Sequence, residues 1–263
     1  MPFCYPLCSS SKGNATYFGT REAGVLIDIG LSARQLFSKL SLASIERNAI
    51  RAIFITHEHS DHIKGLPVVA KQLNVPIYGS RKTLEALIEK DMIPAGATVC
   101  EIKHKSAEFA GLSVSAFETP HDAAHSLGYR VTLPDGRYVC TCTDLGHMTE
   151  EIYDRLKGSE LVLLESNYDP QMLEEGPYPS YLKRRIASSH GHLSNEDCAN
   201  TVASLFADGT TRFLLGHLSE QNNRPELAYF KTISALSKAG AVINEDVSLM
   251  VAPPQNCGKV IAL

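Results

Sequence analysis

The segment Thr56-His57-Glu58-His59-Ser60-Asp61-His62 follows the apolar run Ala52-Ile53-Phe54-Ile55 directly, so four metal-binding side chains fall within six residues at the end of a buried strand. A strand projects alternate side chains to one side, which puts His57 and His59 together. The turn that follows brings Asp61 and His62 round beside them. A solvated loop has no need for that alternation, and tag-derived histidines would not be internal and interrupted by acids. Neutral imidazole and carboxylate suit Zn, Mn or Fe, and the lack of cysteine in the cluster argues against a closed structural zinc site. The pattern predicts a catalytic centre in which one short loop serves two ions.

The surrounding chain repeats the same plan of strand followed by turn. The segment 24–30 reads as a buried strand bounded by glycines, and Ser32 caps a helix over 33–40. A second strand at 52–55 leads into the histidine loop, then a helix over 66–73, a short strand at 76–78 and a helix over 82–89. From Thr98 the texture is strand-like at 98–102, 108–109, 112–118, 127–133 and 137–143, with Pro134-Asp135-Gly136 as a tight hairpin turn. After Asp144, strands at 161–165, 213–215 and 248–251 alternate with helices over 150–156, 180–186, 195–206 and 225–236. The fold class predicted is α/β: two mixed sheets packed face to face, helices on the outer faces, and ligand loops along one edge.

With 263 residues, 44% of them hydrophobic, and no repeat or long linker, residues 1–263 are expected to form a single domain. The N-terminus lacks a basic segment followed by an apolar core, and nowhere do about eighteen apolar residues run together. A cytoplasmic protein with no membrane attachment and no evident protein partner is expected. Its seven cysteines are odd in number and scattered, which fits reduced thiols. Cys140 and Cys142 share one face of a strand, either as small apolar fillers or as ligands. A net charge of −4 does not advertise a polyanion partner, although Lys183-Arg184-Arg185 forms a local basic patch close to His190 and His192.

Three further candidates stand directly after strand-like runs: His121 after 116–120, Asp144 after 142–143 and His217 after 213–216. Each alone could be a turn-stabilising residue. Together with the loop they make seven donors, enough for two ions with open positions, and a carboxylate such as Asp144 can bridge a pair about 3.5 to 4 Å apart.

The series His-x-His-x-Asp-His, an isolated His, an Asp and a late His resembles the motif series of the metallo-β-lactamase superfamily, over residues 28–217. That resemblance implies the αββα sandwich of the superfamily. It assigns His57, His59 and His121 to one metal, Asp61, His62 and His217 to the other, Asp144 as the bridge, and Asp28 as a strand-end aspartate supporting the loop. The segments Ser9-Ser10-Ser11-Lys12-Gly13-Asn14, Pro120-His121-Asp122-Ala123, Leu164-Glu165-Ser166-Asn167, 178–186, Gly191-His192-Leu193-Ser194-Asn195 and 217–223 are similar to those of the YycJ/WalJ-type bacterial proteins. This resemblance extends over nearly the whole chain and implies 5' to 3' exonuclease action on DNA. No large inserted domain of the kind carried by ribonuclease J and other relatives with an added nucleic-acid clamp is expected.

The chemistry expected is a phosphodiesterase in which a hydroxide shared by two divalent ions is the nucleophile, with Asp61 both ligand and proton acceptor. His192 has two readings, a proton donor to the leaving oxygen or a residue packed in the turn before the helix that Ser194 starts. His190 offers a weaker version of the first. Ser10 and Asn14 belong either to a loop that cradles a terminal phosphate or to a simple N-terminal turn. Lys183 and Arg184 are either phosphate contacts or part of a solvated helix face. His104, His125 and His147 have no comparable context and are expected to be structural. The main alternative is a metal-dependent hydrolase of a small cyclic phosphodiester, ester or thioester; an open basic groove argues for a polymer and a narrow apolar pocket for the small substrate. A redox diiron protein would normally need a glutamate at the second position of the first histidine pair, where this chain has His57-x-His59, and a flavin partner. A metal-free binding protein would be expected to have lost ligands.

Overall fold

Apolar runs such as 161–164 and 213–215 need cover on both faces, and two packed sheets under outer helices supply it. The computed structural model describes residues 1–103 and 106–263, so His104 lies outside the described residues. The first half contains β1 (Phe3–Ser10), β2 (Gly13–Gly19), β3 (Gly24–Ile27), α1 (Ala33–Leu42), β4 (Ile50–Phe54), α2 (Ser60–Ile63), α3 (Leu66–Leu73), β5 (Ile77–Gly79), α4 (Arg81–Glu89) and β6 (Val99–Glu101). The second contains β7 (Ala107–Phe109), β8 (Leu112–Glu118), β9 (Leu127–Thr132), β10 (Tyr138–Cys142), α5 (Glu150–Leu156), β11 (Leu161–Glu165), α6 (Pro170–Glu175), α7 (Ser180–Ile186), α8 (Asn195–Ala207), β12 (Arg212–Gly216), α9 (Pro225–Lys238), β13 (Ser248–Val251) and β14 (Ile261–Ala262).

Among the described residues these strands make two seven-stranded sheets, ordered β14-β1-β2-β3-β4-β5-β6 and β13-β12-β11-β10-β9-β8-β7. Strands β3 to β6 pair in parallel, as do β10 to β13; the rest pair antiparallel. The layer between the sheets is apolar, with Phe18, Val25 and Phe54 of one meeting Tyr129, Val139 and Leu163 of the other. Each fully buried side chain of this size contributes roughly 1.5–3 kcal/mol through removal from water. Helices α1, α3 and α4 close the outer face of the first sheet, and α5, α8 and α9 that of the second. The architecture is the predicted αββα sandwich.

The helix starts follow their caps. The Ser32 side chain accepts from Gln35 N in a full capping box, and Ser194 accepts from Asp197 N at the head of α8. The Pro134–Gly136 turn joins β9 to β10, with Leu133 N donating to Arg137 O at 2.7 Å. Cys140 and Cys142 are buried together under the outer helices, as small apolar fillers would be. The structure differs at the N-terminus. The stretch expected as a loop around 9–14 is the end of β1, a tight turn and the start of β2, and both strands are buried along their whole length. Pro6 obscures this in the sequence, and it is tolerated because the β1–β2 register shifts between Pro6 and Cys8. The strand expected over 24–30 stops at Ile27, since Asp28 turns into the left-handed region.

Candidate metal centre

Site residues gather at the carboxyl ends of parallel strands, the usual ligand position in open α/β sheets. Asp28 follows β3, the histidine loop follows β4, Asp144 follows β10, Glu165 ends β11 and His217 follows β12; His121 comes from the neighbouring β8. Asp28, Asp144 and His217 each have positive φ, 61°, 60° and 56°. Such backbone costs of order 1–3 kcal/mol per residue and persists where surrounding contacts over-determine it. Here it reverses the chain at the strand end, so that the side chain turns back into the centre. Across the sandwich, Tyr129 Oη donates to Ile55 O at 2.6 Å and pins the end of the β4 extension just before the histidines.

Four imidazoles are held with one nitrogen occupied by the protein. His62 Nδ1–H donates to Asp28 Oδ2 at 2.8 Å, His121 Nδ1–H to Gly191 O at 2.9 Å, and His217 Nδ1–H to Glu165 Oε1 at 2.7 Å. His57 Nδ1 meets Thr56 Oγ1 at 3.0 Å. Fixing Nδ1 in this way selects the tautomer and leaves Nε2 bare for a cation. Asp28 also accepts Thr56 N at 2.9 Å and Thr56 Oγ1, so one buried carboxylate orients both the loop and His62.

The bare atoms converge. One donor from each of His57, His59 and His121 lies within 4.8 Å of the others, and the same holds for Asp61, His62 and His217, and for His57, His62 and Asp144. His121 Nε2 stands 3.3 Å from His59 Nδ1, while Asp61 Oδ2 stands 3.3 Å from both His62 Nε2 and His217 Nε2. Asp144 is central, reaching His62 at 3.3 Å, His217 at 3.5 Å and His121 at 3.8 Å. Among the described residues, His57 Nε2 and Asp144 Oδ2 are buried without a hydrogen-bond partner. Buried polar atoms left unpaired are costly, and facing lone pairs repel, so a nitrogen-and-oxygen donor set of this kind fits divalent metal ions.

The electrostatics separate two halves. Burial, then the neighbouring imidazoles, push His57 and His59 down from the ordinary histidine range. Burial would also lower His62 and His217, but the carboxylates outweigh it: Asp144 and Asp61 raise His62 well above its usual value, and Asp144 with Asp61 and Glu165 raises His217 to about 10. Correspondingly, Asp61 and Asp144 lie below the usual carboxylate range despite burial. The half around His62 and His217 therefore carries excess negative charge that a cation must meet, either as protons or as a metal.

Glu165 was given no role on sequence grounds. It is fully buried, and its four contacts tie the centre together: Oε1 accepts from His217 Nδ1 and, at 2.9 Å, from His192 Nδ1, while Oε2 accepts Leu145 N at 3.1 Å and Leu193 N at 3.0 Å. These partners outweigh burial and hold its carboxyl down at about 2, and its charge in turn raises His192 against the opposing effect of burial. The signal available in the sequence was a carboxylate closing an otherwise apolar buried strand, which demands such partners. Asn167 and Thr56 were likewise missed; Asn167 Nδ2 donates to His217 O at 2.8 Å.

The remaining candidates divide. Asn14 is buried against the cluster, its Nδ2 within 3.3 Å of Asp61 Oδ2 and 3.1 Å of His62 Nε2. Ser10 is buried in the hairpin, its Oγ accepting Lys12 N. Lys183 Nζ donates to Glu174 O, whereas Arg184 and His190 are exposed, the latter accepting Asp122 N at its carbonyl. His147 Nδ1 and Ser189 O are 2.9 Å apart, and His125 pairs with Glu118, both away from the cluster.

Residues 24–218 match the Beta-lactamase superfamily domain. The chain is 35% identical over 257 residues to Exodeoxyribonuclease YycJ of Bacillus anthracis, covering 97% of this chain and 96% of that protein. It is 33% identical over 253 residues to Exodeoxyribonuclease WalJ of Streptococcus pneumoniae serotype 2, covering 94% and 93%. The Zn2+-bound PqqB of Methylobacterium extorquens shares the fold, with a TM-score of 0.74 at 16% identity over 99% of this chain and 100% of that one. With its αββα sandwich and its histidine and aspartate clusters, the chain belongs to the metallo-β-lactamase superfamily as a metal-dependent hydrolase related to the YycJ/WalJ proteins.

Proposed function

We propose that residues 1–263 act as one unit, a dinuclear-metal-dependent 5' to 3' DNA exonuclease of the cytoplasm. The observation that carries this reading is the near full-length relationship to two exodeoxyribonucleases, joined to seven converging donors of the kind a two-ion phosphodiesterase requires. His57, His59 and His121 would hold one ion, Asp61, His62 and His217 the other, with Asp144 between them. Zn and Mn both suit this donor set. Divalent ions bound there supply activation of water and neutralisation of the phosphoryl oxygens.

The chain's own residues supply the rest. Asp144 and Asp61 orient their neighbours and take up positive charge. His192 keeps its Nδ1–H on Glu165, whose charge favours a second proton on Nε2, and that second proton is the one it can deliver to a leaving oxygen. Asn14 places an amide against Asp61, where it can steady an oxygen of the scissile group. Arg184 and His190 are exposed and free to meet a phosphate backbone. A cleft of about 630 Å³ flanks the His121 loop, and its lining mixes Arg81, Lys82, Lys103 and Arg155 with Glu101, Glu118 and Glu151. Seven free cysteines, five of them buried, agree with a reducing compartment. No helix of the described residues is long and apolar enough to cross a membrane.

The test is digestion of 5'-phosphorylated single- and double-stranded DNA and matched RNA by Mn-loaded and Zn-loaded protein. Metal-dependent release of mononucleotides from the 5' end is expected on DNA. Inactivity on every polymer, with turnover of a small phosphodiester or thioester, would overturn the reading in favour of a small-molecule hydrolase. Stripping with EDTA should abolish digestion reversibly. It should also lower Tm by about 5–10 °C, since a ligand at a hundred times its Kd stabilises by about 2.7 kcal/mol. An unchanged melting curve after verified metal removal would argue against metal binding by the folded state.

Asp28→Asn keeps the shape and the tolerance of positive φ but places an amide where Thr56 N, Thr56 Oγ1 and His62 Nδ1 all need an acceptor. The expected result, read by competition with a chromogenic chelator, is a ten- to hundredfold loss of metal affinity. Wild-type affinity would remove Asp28 from its supporting role.

A further inference from the structure

We propose that Tyr181 is a base-stacking subsite at the rim of the centre, taking a nucleobase of single-stranded DNA while Arg184 meets its phosphates; the inference rests on the nuclease reading above. Helix α7 has no buried residue, and Tyr181 is 68% exposed. An amphipathic helix normally holds its place through an apolar face. Here polar ties to the centre replace it. Arg185 pairs with Asp122, the neighbour of His121, and Asp122 N donates to His190 O at 2.9 Å. His192 N donates to Ile186 O at 2.9 Å, and Gly191 passes so close to the Arg185 and Ile186 carbonyls that a Cβ would lie 2.3 and 2.1 Å from them. The end of α7 is thus locked to the loops that carry His121 and His192.

Residues three and four apart on a helix share a face, so Tyr181 lies beside Arg184 and Arg185. It stands about 6 Å further out along the axis than Arg185, close to the rise of two stacked bases. Cations in the last turn of a helix complement its dipole, which accounts for Lys183, Arg184 and Arg185 without a ligand. That account gives no reason for a large aromatic ring in water next to them. An aromatic face flanked by a guanidinium without a partner among the described residues, on an element braced to the centre, is the combination that binds single strands without regard to sequence.

The test compares wild type, Tyr181→Ala, Tyr181→Phe and Arg184→Gln on a 5'-phosphorylated oligothymidylate and on bis(p-nitrophenyl) phosphate. Tyr181→Ala should lower the ratio of kcat/KM for the oligonucleotide to kcat/KM for the small diester about tenfold, mainly through KM. Tyr181→Phe should restore the ratio, since stacking needs the ring and not the hydroxyl. Arg184→Gln should raise KM and reduce the salt dependence of oligonucleotide binding by about one unit of slope. A ratio unchanged in Tyr181→Ala overturns the subsite, as does an equal loss on both substrates. A wild-type protein that hydrolyses the small diester and no oligonucleotide overturns the nuclease reading instead.

Discussion

Asp61→Ala is expected to abolish turnover while leaving the fold intact. Asp61 sits in the single turn of α2, where alanine is a good helix former, so the backbone has no reason to move. What disappears is one carboxylate oxygen that stands 3.3 Å from His62 Nε2, His217 Nε2 and Asn14 Nδ2 at once. Among the described residues the neighbouring acids are all engaged, Asp122 by Arg185. Asp144 already serves His62, His217 and His121, and Glu165 is committed to His192 and His217 on the far side of the latter ring. Loss of a donor of this kind costs several kcal/mol of transition-state stabilisation, so kcat/KM should fall by about a thousandfold or more. The measurement is digestion of 5'-phosphorylated DNA together with metal content and Tm of the variant. Undiminished turnover with normal metal content would sink the assignment of Asp61 to the reacting centre.

Why the donors were legible and their supports, Asp28 apart, were not follows from what each leaves in the sequence. A residue that must sit at a strand end, directly after an apolar run, marks its own position. That rule located the histidine loop, His121, Asp144 and His217, and it follows from the parallel strands of the two sheets all ending at one edge. The helices were legible for a similar reason, since the side chains of Ser32 and Ser194 make their caps locally. Support across the sandwich leaves no such local mark. Glu165 meets His217 from 52 residues away, Ser9 Oγ accepts His217 N across 208, and Tyr129 reaches Ile55 from the opposite sheet. The hairpin of β1 and β2 was hidden because both of its faces are buried, so the period-two alternation that reveals a half-buried strand is missing. The positive φ of Asp28, Asp144 and His217 was equally silent, because tertiary contacts, not glycine, hold those turns.

Glu165→Gln tests the deepest of these supports, and the expected outcome is a fall in kcat of about a hundred- to ten-thousandfold with little change in KM. Glu165 accepts four hydrogen bonds, two from imidazole Nδ1–H groups and two from the backbone N–H groups of Leu145 and Leu193. A glutamine of the same shape has one acceptor oxygen and one donor nitrogen. Its NH2 cannot face two backbone donors, so it must face the histidines. His192 and His217 then have to accept at Nδ1, which moves their protons to Nε2. On His217 that proton points at Asp61 and removes a bare nitrogen from the donor set. On His192 the loss of the carboxylate removes the charge that favours protonation. Both defects arise from one atom, so Glu165→Gln and His192→Ala should be strongly non-additive in a double-mutant cycle. Glu165→Ala is the less informative variant, because stranding buried donors costs several kcal/mol and confounds activity with folding. Turnover of Glu165→Gln within threefold of wild type would mean that the carboxylate only fills space, and the orienting role given to it would have to be abandoned.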